Sequence, residues 1–131
     1  MLEQADLVAF VACSDLEVSN RFYSGVLGLR LLETSAVANA YDVCGTQLRV
    51  TLVDRPSRAP YTVLGWRVVD LPAVVDGLTA AGVQFVRYDG MGQDEHGIWH
   101  APSGAQVAWF TDPDANLLSL TAFPDSSGAP A

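Results

Sequence analysis

The chain has 131 residues, 50% of them apolar and 17% charged, which suits one compact domain and excludes intrinsic disorder over most of its length. Seven basic residues against fifteen acidic ones give a formal charge of -8. Such a surface repels nucleic-acid phosphates and anionic lipid and favours a cationic ligand. No apolar run approaches the roughly 20 residues needed to cross a bilayer, and the acidic start MLEQADLVAFVAC has no basic leader segment. A cytoplasmic protein with neither a nucleic-acid nor a membrane partner is expected. Its two cysteines, Cys13 and Cys44, are expected to be reduced and buried as packing residues.

In chain order, the apolar run 7–13 reads as a strand. Ser14-Asp15 then offers an N-cap, and Leu16, Val18, Phe22 and Val26 follow at helix-like spacing up to Gly28, which can close the helix in the left-handed conformation. Strands are predicted over 29–33, 36–43 and 47–53, with Cys44-Gly45-Thr46 as the turn between the last two. The breaker-rich stretch DRPSRAP, 54–60, reads as a connector. A strand over 61–69 follows. Asp70 then caps a second helix, with Pro72 in its first turn, Ala73, Val74, Leu78 and Ala81 along it, and Gly82 at its end. Further strands are predicted over 83–87, around 98–101, over 105–111 and over 117–123, and the tail PDSSGAPA is expected to fray.

The pattern is an internal repeat. Asp15-Leu16 recurs as Asp70-Leu71 and Gly28 recurs as Gly82 at nearly the same offset, with further strands behind each copy. The simplest architecture is α+β: two βαβββ modules with their sheets combined and helices on the outer face. This is one domain, with module one over about 5–53, a linker at 54–60, module two over about 61–123 and a tail at 124–131.

The segment Asp15-Leu16…Phe22-Tyr23…Leu27-Gly28-Leu29 resembles the first-module signature of the vicinal oxygen chelate superfamily, which includes glyoxalase I, extradiol dioxygenases and bleomycin-resistance proteins. The stretch VAWFTDPDANLLSL, 107–120, resembles the closing F-x-D-P-D-G-N segment of the same families, with Ala115 where Gly is usual. The resemblance covers the chain from about Leu7 to Phe123. It implies paired βαβββ modules forming a curved mixed sheet around a cleft, and a homodimer with clefts built across the subunits.

The resemblance also implies where a metal would sit. Metal-using members carry a His seven residues before each N-cap Asp, which falls here on Val8 and Val63, and a Glu in the last strand, which falls on Ser119. The remaining carboxylate comes from a strand that here reads Arg49, Val50, Thr51. Valine has no donor atom and a lone serine hydroxyl is a poor neutral ligand, so no metal or other cofactor is expected. A displaced site would have to come from DEHGIWH, 94–100, where Glu95, His96 and His100 are the candidates. The alternative is a solvated loop, with His96 on the surface and His100 a titratable group near the cleft.

With Val8 on the cleft side, alternation places Phe10 and Ala12 there too, and Val63, Gly65 and Arg67 in module two. Candidate ligand-binding residues are therefore Phe10, Tyr41, Arg67, Trp99, His100 and Trp109, with Asn39 and Arg49 as further polar contacts. Arg67 can anchor a carboxylate or ring carbonyl, or pair with one of the chain's own acids. Trp99 and Trp109 can line the cleft or fill the core, whereas parity places Trp66 in the core. No catalytic residue is assignable. The expected function is metal-independent binding of an aromatic or cationic small molecule in a cross-subunit cleft, as in bleomycin-resistance proteins. The alternative is a lyase, isomerase or dioxygenase with a relocated metal site or metal-free acid–base chemistry at His100 or Glu95.

Overall fold

The computed structural model describes residues 1–124, and the tail beyond Pro124 lies outside the described residues. The chain forms two compact units, Met1–Arg58 with Asp112–Asn116 and Ala59–Thr111 with Leu117–Ala131. The boundary between Arg58 and Ala59 falls inside the breaker-rich connector, and the D-P-D-A-N turn of the second repeat belongs to the first unit.

The first unit contains β1 (Val8–Cys13), α1 (Leu16–Asn20), β2 (Arg30–Thr34), β3 (Ala38–Val43) and β4 (Thr46–Leu52). Its mixed sheet has the order β1-β4-β3-β2, with β1 parallel to β4 and the other pairs antiparallel. In the second unit, β5 (Leu64–Arg67), α2 (Leu71–Ala80), β6 (Trp99–His100), β7 (Gln106–Thr111) and β8 (Leu117–Ala122) repeat the plan as β5-β8-β7-β6. Each unit is a βαβββ module, and the fold class is α+β as expected.

The repeated caps act as their chemistry requires. Asp15 accepts hydrogen bonds from the backbone N–H groups of Glu17 and Val18, and Asp70 accepts one from Ala73. Both closing glycines have positive φ, +77° at Gly28 and +99° at Gly82. The first helix departs from expectation after Asn20, where the turn widens to a π-helix over Arg21–Val26 and Leu27 N–H bonds the Phe22 carbonyl. Its buried pair is Ser19 and Tyr23, while Val18 of the expected apolar stripe is exposed.

The turn after β3 places Cys44 at φ +51° and Gly45 at +91°, the two positive angles of a tight hairpin that follows the strand twist. Cys44 is therefore exposed at the hairpin tip, correcting the expectation of a buried thiol, whereas Cys13 is buried and burial pushes its thiol pKa up. In the second unit the strand expected over 83–87 shrinks to one bridge, Phe85 to Phe110. The strands expected over 61–69 and around 98–101 contract to β5 and β6. Because β8 occupies one edge of β7 along its length, the Phe85 bridge and β6 share the other edge.

Helix α1 packs on β3 and β4, and α2 on β7 and β8. The first core gathers Val11, Cys13, Tyr23, Tyr41, Leu48 and Val50, and the second Leu71, Val75, Ala108, Phe110, Leu118 and Leu120. Trp66 is half-buried on the helix side and stacks on Phe110, with ring centroids 6.4 Å apart. Among the described residues, no helix is long and apolar enough to cross a membrane.

The D-P-D-A-N turn ties the first unit together across long sequence separations. Buried Asp112 accepts the Tyr23 hydroxyl at 2.6 Å and Asn116 Nδ2 at 2.8 Å on one oxygen, and the N–H groups of Asp114 and Asn116 on the other. Asp114 accepts from Ser14, and Asn116 Nδ2 also donates to the Ala12 carbonyl. Burial, with the Asp112 carboxylate as a second cause, holds the Tyr23 hydroxyl neutral far into the alkaline range. Within this turn Ala115 sits at φ +64°, where a Cβ is strained. Ala115→Gly is accordingly expected to raise stability by about 0.5–1 kcal/mol, read as a higher urea midpoint at unchanged m.

Candidate functional site

Each sheet has one face against its helix and one open face. In β1, Val8 and Phe10 are exposed while Val11 and Cys13 are buried; in β5, Gly65 and Arg67 are exposed, as is Val63 just before it, while Leu64 and Trp66 are half-buried. This is the alternation read from the sequence. Strand register extends it across the sheets. Phe10 pairs with Arg49 and Arg49 with Ala40, so Phe10, at 64% exposure, and Arg49 share the first open face. Arg49 donates to Gln47 Oε1 at 3.1 Å on that face.

On the second sheet, Gly65 pairs with Ser119 and Ser119 with Trp109, which places Trp109 on the open face. In the next row, Arg67 pairs with Thr121, Thr121 with Val107 and Val107 with Trp99. Arg67, Trp99 and Trp109 therefore share one face. The Trp99 and Trp109 rings lie 6.2 Å apart, Tyr88 meets Trp109 edge-on at 5.4 Å, and both tryptophans are half-buried. Arg67 lies over the Phe123 ring at 5.9 Å.

Two candidate residues fall on the opposite faces. Tyr41 is fully buried against α1, donating its hydroxyl to Asn20 Oδ1 at 2.7 Å. Asn39 is buried on the same side and donates to the Leu16 carbonyl. His100 shares its face with Gln106 and Ala122, across the sheet from Trp99. There its Nε2 bonds Asp94 Oδ2 at 2.9 Å.

The displaced cluster serves the architecture of a loop. His96 is half-buried rather than fully on the surface, and its Nε2 lies 3.3 Å from Asp76 on α2. The two histidines thus face different carboxylates. Asp94 Oδ1 accepts the N–H groups of His96 and Ile98, so Asp94 knots the loop. Gln93 spans it, donating to the carbonyls of Val86 and Gly97 and accepting Tyr88 N–H at 2.7 Å. Nothing in the sequence pattern singles out Gln93, because bonds from a side chain to backbone leave no periodicity.

Partial burial acts to raise the Asp94 pKa, but the hydrogen bonds from His100, Ile98 and His96 outweigh it and hold the carboxyl below its ordinary value. A depressed folded-state pKa stabilises above the ordinary value near 4 and is lost as pH falls through it. Asp94→Asn is therefore expected to cost about 1 kcal/mol at neutral pH. Urea titrations of the pair should converge as pH falls below the lowered Asp94 pKa.

The positions where metal-using relatives would place ligands lie on the open faces as Val8, Val63 and Ser119, two of which carry no donor atom. Among the described residues, no group of three or more His, Cys, Asp or Glu is arranged to hold a metal ion. The residues present do not fit the family's metal.

The family model of the Glyoxalase/Bleomycin resistance protein/Dioxygenase superfamily matches residues 5–120. The chain belongs to this superfamily. Solved structures of the same fold include a glyoxalase/bleomycin resistance protein/dioxygenase from Alicyclobacillus acidocaldarius, 20% identical at TM-score 0.70, with 93% of each chain covered. A superfamily member from Sphaerobacter thermophilus is 21% identical at TM-score 0.71, covering 93% of this chain and 99% of that one. A lactoylglutathione lyase from Agrobacterium tumefaciens is 15% identical at TM-score 0.68, covering 93% and 96%. At these identities the likeness is one of fold. No curated protein matches the sequence.

Proposed function

We propose that this superfamily member is a metal-independent small-molecule binding protein that sequesters an aromatic or cationic ligand, acting as a homodimer with a cross-subunit cleft. The observation that carries the reading is the aromatic row Trp99–Trp109–Tyr88 on the open face of the second sheet, with Arg67 on the same face. Half-buried indoles on the open face offer a flat ligand a stacking surface, and Arg67 offers hydrogen bonds to a carbonyl or carboxylate at its edge. Binding of this kind needs shape and a few polar anchors but no reacting group. A charge of -8 adds a favourable field for a ligand with a cationic part.

Tryptophan fluorescence titrations against planar heteroaromatic compounds, with mass spectrometry of the mixture afterwards, test this reading against the lyase, isomerase or dioxygenase alternative. Saturable quenching with the ligand recovered unchanged is the expected result. Conversion of the ligand to a new compound would favour the enzyme.

A further inference from the structure

Beside the aromatic row lies a shallow pocket of about 350 Å³, with walls that include Tyr61, Tyr88, Met91, Trp109 and Leu117. None of the residues lining it is charged. The Tyr88 and Trp109 rings stand at 85° to each other, so the pocket is bounded by two ring systems set at a right angle. Tyr61, 66% exposed, supplies a third ring, and Met91 adds a polarisable thioether. Tyr88 is held in place from behind, because Gln93 Oε1 accepts its N–H and Gln93 Nε2 closes the loop onto Val86 and Gly97.

We infer that this pocket is a subsite for a methylated ammonium group on a small soluble compound. Ring faces carry the negative part of the aromatic quadrupole and attract a cation, most strongly one that sheds water easily. A quaternary ammonium is such a cation. It has no N–H to satisfy, which matches a lining of rings, a thioether and aliphatic carbon in which hydroxyls, those of Thr62 and the tyrosines, are the side-chain polar groups besides the indole N–H. A neutral branched alkyl group would meet the same apolar contacts but gain nothing from the quadrupoles or from the net charge of -8. The chain has no lysine; Arg87, next to Tyr88, donates to the Glu95 carbonyl, and Arg67, on this open face, stands one row and two strands from Trp109. On the spacing of a β-sheet that is roughly 12 Å, about a Debye length at moderate salt.

The inference rests on the proposed function in one respect, that Trp109 is a binding wall. The test separates the two. Indole N–H shifts of Trp99 and Trp109 are followed in the full chain against choline, its neutral isostere 3,3-dimethylbutanol, and 2-naphthol as a flat uncharged ligand. Choline is expected to bind about tenfold more tightly than the isostere, with the larger shift at Trp109. Tyr88→Leu should erase that preference, and Tyr88→Phe should keep it. Equal binding of choline and the isostere would overturn the cation subsite while leaving an apolar pocket. Shifts with 2-naphthol alone would overturn the subsite and leave the proposed function standing. No shift with any of the three would overturn both. Co-sedimentation with phosphatidylcholine vesicles would overturn the assignment to a soluble compound in favour of a lipid headgroup.

Discussion

Asp112→Ala is expected to cost about 4 kcal/mol, more than any other single polar substitution in the chain. Asp112 is 6% exposed, and its two oxygens accept four hydrogen bonds from Tyr23, Asp114 and Asn116. Bonds to a charged acceptor contribute about 1.5–3 kcal/mol each before competition among them. Removal also strands the Tyr23 hydroxyl and one of the two N–H donors of the Asn116 side chain, both on buried residues, and each unsatisfied buried donor costs about 1–3 kcal/mol. Loss of Asp112 would also loosen Asp114 and Asn116 from Ser14 and Ala12, since it holds the turn that presents them. Thermal melts should show a drop in Tm of more than about 10 °C. Tyr23→Phe removes one of the four bonds and should cost about 2 kcal/mol. A double-mutant cycle with Asp112→Asn should show coupling above about 0.5 kcal/mol. Additive single effects would mean that the 2.6 Å contact is not a functional bond.

Trp109→Ala should weaken binding of a planar ligand by about 5- to 150-fold, the range for removing one aromatic stacking partner at about 1–3 kcal/mol. Trp109 stands between Trp99 and Tyr88, so its loss breaks the row at its centre. Trp109→Phe keeps a ring at the position and should lose far less. Trp66→Phe is the control, because Trp66 stacks on Phe110 on the helix side of the same sheet. That variant should shift stability and leave affinity within about twofold. Equal effects of Trp109→Ala and Trp66→Phe on affinity would place the ligand elsewhere.

The parts of this fold that were legible in the sequence are those written in local chemistry. Asp15 and Asp70 as caps, Gly28 and Gly82 as left-handed closures, and the alternation of β1 and β5 all follow from neighbouring residues. The open-face placement of Phe10 and Arg67 came with that alternation. Tyr41 and His100 were harder for a physical reason. β3 buries Ala38, Asn39, Ala40 and Tyr41 in succession, so no period of two marks its faces, and β6 is only two residues long. The Tyr23–Asp112 bond joins residues 89 apart, a separation at which no local pattern carries a signal. The Gln93 clamp, and with it the position of Tyr88, was invisible for the same reason that loops carry no hydrophobic period.

On the proposed function, the open face of the second sheet binds a small molecule without a metal. The most direct measurement is one ligand titration performed twice, on protein stripped with a chelator and on protein supplied with nickel, zinc or ferrous ion. Valine at the two positions where histidines would serve leads to the same affinity within about twofold in every case, with less than about a tenth of an ion retained per chain after desalting. Binding that disappears on chelation and returns with one bound ion per chain would show a metal-dependent site.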